Sequence, residues 1–406
     1  MSDSGGQRRV TTIRSSNELS SAKGLEADLT RRHAILHAGL SEAGGDALVA
    51  TREGVVTYLT GYTTATWLNH SRPIVAVLTQ SRLDVVCAET EADAVRSRVP
   101  GVTVHPYVEL RSPDGFSGLP DGAIQFTPHA CQVLATLLRE LGAQTLGVDA
   151  LGAVHPPTSR IVDLLPASLE RFDASSMVWA SRLRKSAWEI ERMRAASDVL
   201  ERAFMDLRAA LRPGMSEREI HSILAAASFT HGAHRLGYTM AVAGVERGLF
   251  GDPTARRWQK GEVLFVDGGV VVDGYWADYC RMYTIGAPTP SQRDDYARAV
   301  RALDAAQGLD AAPTASALGR AIGTALYLPP GGVGFGRFGH GIGLYMPEPP
   351  SLHPDDPTPL DDGVVLCVEP AYLGSTGNYV VEEEHVVTNG RLNRISPVAP
   401  RSLIEI

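Results

Sequence analysis

The segment FVDGGVVVDGYWADYC restricts the fold of this chain more than any other stretch. Asp273-Gly274 separates two apolar runs, and an Asp-Gly pair in that setting is a strong signal for a two-residue β-hairpin turn. With those residues as the turn, Val272 pairs with Tyr275 and Asp267 faces Cys280. Asp278 lies two residues from Cys280, so strand alternation puts it on the face that carries Asp267. On the diagonal of such a ladder, Cα atoms are about 7–8 Å apart. Side chains leaning inward from there would hold metals about 3.5–4 Å apart. Taken alone, Asp267 also reads as an ordinary strand end before a glycine turn.

Around this hairpin the pattern divides in two. Residues 26–165 alternate helix-like and strand-like segments. LEADLTRRHAILHAGL and QVLATLLRELG read as helices, and DALVAT, PIVAVLT, RLDVVCA and QTLGVDA as strands. HPPTS marks a loop near the end of this α/β region. The second half opens on a long helix. Ser186 with Glu189 makes a capping box, and apolar residues recur from Ile190 to Leu211. Ser216 with Glu219 caps the next helix. GYTMAVA, EVLFVDGGVVV, GYWADYCRMYTIG, VVLCVEPAYL and YVVEEEHVVT then read as strands, with SQRDDYARAVRALDAAQ and ASALGRAIGTALY as helices between them. The expected domains are 26–165 and 175–406, preceded by a flexible arm over 1–25.

Composition excludes several function classes. At 406 residues the chain is long enough for two or three domains. A net charge of −8 argues against a nucleic-acid partner. No apolar run reaches the length of a membrane span, and the polar start lacks the apolar core of a signal peptide. Cys87, Cys131, Cys280 and Cys367 form no CxxC pair, which points to buried reduced thiols in a cytoplasmic protein.

Three further residues have chemistry that their local sequence does not settle. Glu369 closes the apolar run VVLCVEP, where a buried carboxylate must find a partner or neutralise. Glu382 sits in YVVEEEHVVT. Alternation gives it the face of Val380 and Glu384, away from Glu383 and His385. A solvated acidic edge strand would look the same. His340 lies in GFGRFGHGIGL, where a lone histidine is more often a core or loop residue.

At this point the residues resemble a known family. VDGGVVVDGYWADYCR resembles the D-x-G…G-Y-x-x-D-x-x-R block of the pita-bread metallopeptidases, which include aminopeptidase P, prolidase, methionine aminopeptidase and creatinase. GHGIGL, VEP and VEEEHVVT resemble its next three blocks, in order and at prolidase-like spacing. LRKSAWEIERMRAASDVLERAF and YLTGYTTATWLNHSRP resemble the helix that opens that domain and the N-terminal domain of the prolidase branch. The resemblance implies an α/β N-terminal creatinase-like domain plus an α+β pita-bread C-terminal domain. It also implies two divalent metal ions (Mn, Co, Fe or Zn) held by Asp267, Asp278, His340, Glu369 and Glu382. Four carboxylates and one imidazole carry about four negative charges, which balances two divalent cations. By the resemblance Asp278 and Glu382 take part at both metals, Asp267 ligates one and His340 the other, and Glu369 bridges or shuttles protons.

The pattern departs from the family at two positions. The peptidases carry a histidine upstream of the first aspartate and another seven residues after the ligand histidine. Here those positions are Phe250 and Pro347, neither of which donates a side-chain hydrogen bond. Losing one such donor typically costs about 10²–10³ in rate. Candidates to complete the site are His234, with His231 nearby, and Glu348, which matches a family glutamate. Glu369, Glu348 and His234 are the catalytic expectations. Tyr345 and Arg337 flank His340, and Trp67, His70 and Arg72 would close the site from the N-terminal domain, by the resemblance from the partner of a homodimer.

The expected function is dinuclear-metal hydrolysis of a small-molecule or dipeptide-like amide, without efficient ordinary prolidase activity. The alternative is a non-peptidase offshoot of the fold: a dimethylsulfoniopropionate lyase-like enzyme, or an ectoine- or creatine-type hydrolase. A non-catalytic binding protein is the third reading, which retention of all five ligand-type residues disfavours.

Overall fold

Asp273 and Gly274 both adopt left-handed backbone, at φ 51° and 86°. Two consecutive positive-φ residues are what a right-twisted two-residue hairpin demands. A computed structural model describes residues 16–68, 72–108, 127–149, 157–245, 249, 251–309, 314–328, 334 and 336–406. The long-range architecture grows around this hairpin.

The N-terminal half contains α1 (Ser16–Glu42), β1 (Ala47–Ala50), α2 (Glu53–Thr60), β2 (Val75–Thr79), β3 (Leu83–Ala88), α3 (Ala92–Arg98), β4 (Thr103–Tyr107), α4 (Thr127–Glu140), β5 (Thr145–Val148) and β6 (Glu170–Asp173). The strands form one mixed sheet in the order β4-β3-β2-β1-β5-β6. β1 and β2 are buried along their whole length, as expected of apolar runs covered on both faces. The expected arm over 1–25 is not borne out at its C-terminal end, because α1 already runs from Ser16. Packing holds that end down: a Cβ on Gly24 would lie 2.6 Å from the Trp188 ring, and Leu25 packs against Gly61. Residues 1–15 lie outside the described residues. HPPTS is loop only in part, since a 3-10 helix spans Pro157–Leu164.

α5 (Ser175–Leu183) leads to α6 (Ala187–Ala210) and α7 (Glu217–Thr230). Both capping boxes form, with Ser186 and Ser216 each accepting from the backbone of the glutamate three residues on. β7 (Arg235–Ala243), β8 (Val263–Val272) and β9 (Tyr275–Thr284) follow. Next come α8 (Pro290–Gln307), α9 (Ala315–Leu326), β10 (Gly339–Gly341), β11 (Glu348–Ser351), β12 (Val365–Val368), β13 (Ala371–Leu373), β14 (Asn378–Val380), β15 (Glu383–Thr388), β16 (Arg391–Arg394) and β17 (Ile404–Glu405). One sheet runs β17-β9-β8-β7, another β11-β10-β12-β15-β16, and β13-β14 form a third.

Alternation along β8 sorts its neighbours. Leu264, Val266 and Val270 join Leu200, Phe204 and Leu224 of α6 and α7 in one buried cluster. The opposite face carries Asp267. Register is as the turn dictates, with Val272 opposite Tyr275 and Asp267 opposite Cys280. The hairpin therefore presents helices with an apolar face and the interior with two carboxylates. Among the described residues no helix is long and apolar enough to cross a membrane.

Two expected strands are each broken in two. VVLCVEPAYL divides into β12 and β13 around Glu369-Pro370, and YVVEEEHVVT divides into β14 and β15 around Val381-Glu382. Proline has no N–H to give a ladder. The breaks also face each other: Val368 pairs with Glu383 and Ala371 with Val380, leaving Glu369-Pro370 opposite Val381-Glu382. The chain changes sheet at that point, and both glutamates sit at the change.

Candidate metal centre

His340 is central in the site because of its register. β10 pairs with β12 so that His340 lies opposite Cys367, and β12 pairs with β15 so that Cys367 lies opposite Glu384. The imidazole Nδ1 donates to the Gly341 carbonyl at 2.9 Å, which fixes the tautomer and leaves the Nε2 lone pair free. Nε2 lies 3.5 Å from Asp278 Oδ2 and 3.6 Å from Glu369 Oε1. Burial lowers this imidazole to about 4, so it is neutral at ordinary pH, the form that ligates a metal.

The carboxylates converge from both sides. Ligand-type atoms of Asp278, His340, Cys367 and Glu382 lie within 4.8 Å of one another. The Tyr238 hydroxyl donates to Asp278 through a short hydrogen bond and contacts Asp267 Oδ2 at 3.1 Å. Glu384 Oε1 accepts from the Asp278 backbone N–H at 3.0 Å, fixing the strand behind the site. Desolvation raises the carboxyls of Asp267, Glu369 and Glu382, and repulsion from Asp278 adds to it in each. Asp278 is raised by desolvation too, offset in part by Tyr238 and Arg337.

Such clustering is costly unless cations compensate it. Arg337, with Nε 3.8 Å from Glu369 Oε1, is the nearby side-chain cation. Asp267 Oδ1 is buried with no hydrogen-bond partner. Three buried carboxylates, the part-buried Glu369, an imidazole lone pair and an orphaned oxygen fit divalent metals with mixed oxygen and nitrogen ligands.

A cavity of about 1100 Å³ opens onto this cluster, with Asp267, Asp278, His340 and Glu369 in its wall. Arg337 lines it as well. Several other expected residues are elsewhere.

Glu348 is buried in a clamp rather than exposed to the cavity. It pairs with Arg182, lies 3.3 Å from Lys185 Nζ, and accepts the Leu344 and Tyr345 N–H groups at 2.9 and 3.0 Å. Desolvation would raise its carboxyl, but Arg182 and Lys185 outweigh that and hold it below the usual range. It shapes the loop after His340 and is not positioned for chemistry.

Tyr345 likewise turns away from the cavity. Its hydroxyl accepts the Gly54 N–H at 2.8 Å, and its ring lies among Trp179, Arg52 and Arg182. It fastens the loop to the N-terminal half. His234 is more than half exposed at the hairpin end, where its Nδ1 accepts the Asp273 N–H at 3.1 Å. The turn itself takes that imidazole, so His234 does not complete the site. Trp67 packs against the core cluster shared by the N-terminal sheet, and Arg72 acts electrostatically on Glu91. In their own chain both stand apart from the cavity wall. His70 and Phe250 lie outside the described residues. Pro347 is exposed.

Sequence reasoning missed Tyr238, Trp276, Met240 and Met346, all in the cavity wall. Trp276 was legible by parity, two residues before Asp278. Tyr238 was not, because its place depends on pairing with Gly269 across β7 and β8. Cys367 is buried and unpaired, as expected, but it borders the ligand cluster.

Comparison with known proteins agrees with this geometry. Residues 191–389 match the model of metallopeptidase family M24. An uncharacterized peptidase of Bacillus subtilis, YqhT, is 27% identical over 67% of this chain and 78% of its own length. The Xaa-Pro dipeptidase of Pyrococcus furiosus is 26% identical over 53% of this chain and 63% of its own length, so the match spans under two thirds of that relative. Two solved structures share the fold: an Xaa-Pro dipeptidase from Bacillus anthracis (TM-score 0.77, 22% identity, 93% of this chain, 100% of that one) and the X-Pro aminopeptidase of Thermotoga maritima (TM-score 0.75, 21% identity, 92% of this chain, 99% of that one). The pita-bread fold with its preceding α/β domain is thereby established. Over residues 191–389 the match is to metallopeptidase family M24, and the relatives and structural neighbours point to its prolidase and aminopeptidase P branch of metal-dependent hydrolases.

Proposed function

We propose that this protein hydrolyses a small amide-type or dipeptide-like substrate at a dinuclear metal centre. The observation that carries the reading is His340 Nε2, free of other hydrogen bonds and directed at Asp278 and Glu369. Asp278 and Glu382 would serve both metals, Asp267 one, and His340 the other. Glu369 would bridge them or shuttle protons. Mn, Co, Fe and Zn all suit this donor set. Bound metals supply a hydroxide near neutral pH and polarise the scissile carbonyl. Arg337 orients the substrate from the cavity wall beside Glu369.

Ordinary Xaa-Pro dipeptides are poor substrates in this reading, because Phe250 and Pro347 offer no side-chain donor at the two positions where the peptidases carry histidines. The same two positions favour a second reading, a lyase or a non-peptide C–N hydrolase of this fold. The proposed domains are 16–173, wider than the expected 26–165 because α1 and β6 belong with the N-terminal sheet, and 175–406. Homodimerisation, with Trp67, His70 and Arg72 approaching the partner's cavity, belongs to the same proposal and is read by light scattering. A cytoplasmic location is supported by four buried, unpaired cysteines.

The test loads the purified protein with each metal in turn and screens prolyl dipeptides, other dipeptides, cyclic amidines and sulfonium acids side by side. Metal-dependent turnover that Glu382→Ala abolishes is expected. Protein that neither holds nor recruits a divalent metal overturns both readings, and activity surviving Glu382→Ala overturns the site.

A further inference from the structure

The Tyr238 hydroxyl sits directly on the carboxylate pair and in the cavity wall. It has one proton and two acceptors, Asp267 and Asp278. Its position is built into the strands. A Cβ on Gly269 would lie 2.8 Å from the Tyr238 ring, so only glycine there lets the ring lie against β8. The β7–β8 pairing slips between Leu236 and Tyr238, and such irregularities re-aim a side chain. Gly237, at the slip, is covered by the Trp276 ring, where a Cβ would come within 2.0 Å. Two glycines thus make room for two aromatic rings at the cavity wall.

The acceptors of this hydroxyl are the oxygens that the metal-centre reading commits to ligation. When Asp267 and Asp278 ligate, their lone pairs turn to the cation and Tyr238 keeps a proton with weakened acceptors. The hydroxyl then faces the cavity, in a chain that carries Phe250 and Pro347 where the family's peptidases have their accessory histidines. We propose that Tyr238 is the hydrogen-bond donor of this site to substrate, supplying the donor that the two absent histidines would have given. The proposal rests on the metal-centre reading above. The hydroxyl donates to the substrate oxygen that gains negative charge and does not give up its proton. Removing one donor to a charged acceptor costs about 10- to 100-fold in affinity.

The experiment compares metal-free wild type with Tyr238→Phe, which keeps the ring. Zn²⁺ is titrated into each by calorimetry and by near-ultraviolet difference spectroscopy. Orthophosphate, a tetrahedral oxyanion, is then titrated into each loaded protein. Loading should perturb a tyrosine signal in the wild type that the variant lacks. Zn²⁺ stoichiometry should be equal, with the variant binding at least as tightly because no hydroxyl competes for its carboxylates. Phosphate should bind the loaded variant about 10- to 100-fold more weakly. Equal phosphate affinity, no phosphate binding by loaded wild type, or no tyrosine perturbation overturns the proposal. So does markedly weaker Zn²⁺ binding by the variant, which would make Tyr238 a support for the ligands. Wild type that takes up no Zn²⁺ overturns the metal-centre reading itself, a result distinct from the others.

Discussion

Replacing Glu382 by glutamine separates the cost of the clustered carboxylates from their use. Glutamine keeps the volume and removes the charge. In metal-free protein, desolvation together with Asp278, Asp267 and Glu369 raises the Glu382 carboxyl well above its usual range. A raised folded-state value means the folded protein prefers the protonated form. That contribution to stability is complete below the unfolded value of about 4.3, and it is lost as pH rises through the folded value. Metal-free wild type should therefore weaken from about pH 5 upward. The repulsion has a calculable scale. Ligand-type oxygens of Asp278 and Glu382 lie within 4.8 Å. At an effective dielectric of about 20, two unit charges at that distance repel by about 3.5 kcal/mol.

Urea unfolding in a metal chelator at pH 8.5 should show Glu382→Gln more stable than wild type by about 3.5 kcal/mol. The advantage should vanish near pH 4, where the carboxyls are protonated. Excess Mn²⁺ should reverse the order. A ligand at about 1,000 times its Kd stabilises by about 4 kcal/mol, and the variant should lose most of that. Equal stability of the two proteins in chelator at pH 8.5 would refute the clustering argument, as would undiminished Mn²⁺ stabilisation of the variant.

Two further outcomes follow from the same structure. Glu348→Gln should destabilise by about 3–5 kcal/mol, because Arg182 and Lys185 would remain buried without their carboxylate. Thermal unfolding reads this, and a loss below about 1 kcal/mol would show the clamp to be dispensable. Phe250→His combined with Pro347→His should raise alanyl-proline hydrolysis by the loaded enzyme about 10²-fold or more. No gain would show that the pocket differs beyond those two donors.

Local physics made part of this protein legible without tertiary information. The Asp273-Gly274 turn needs only positive φ at two residues, and alternation then puts Asp267 and Asp278 on one face. The caps at Ser186 and Ser216 need only residues within one helical turn. Family register then named the remaining ligands, although nothing in YVVEEEHVVT separates a buried ligand from a solvated edge. Tertiary structure decided the rest. Glu369 and Glu382 meet because two strand breaks lie opposite each other, a consequence of four strands pairing across two sheets. Glu348 and Tyr345 looked like site residues from their place beside His340. Their partners are Arg182 and Gly54, 166 and 291 residues away in sequence. Short-range sterics fix the turn, the caps and the parity of a strand. Which buried group meets which partner depends on packing between distant segments, and the sequence alone carries no local signal for it.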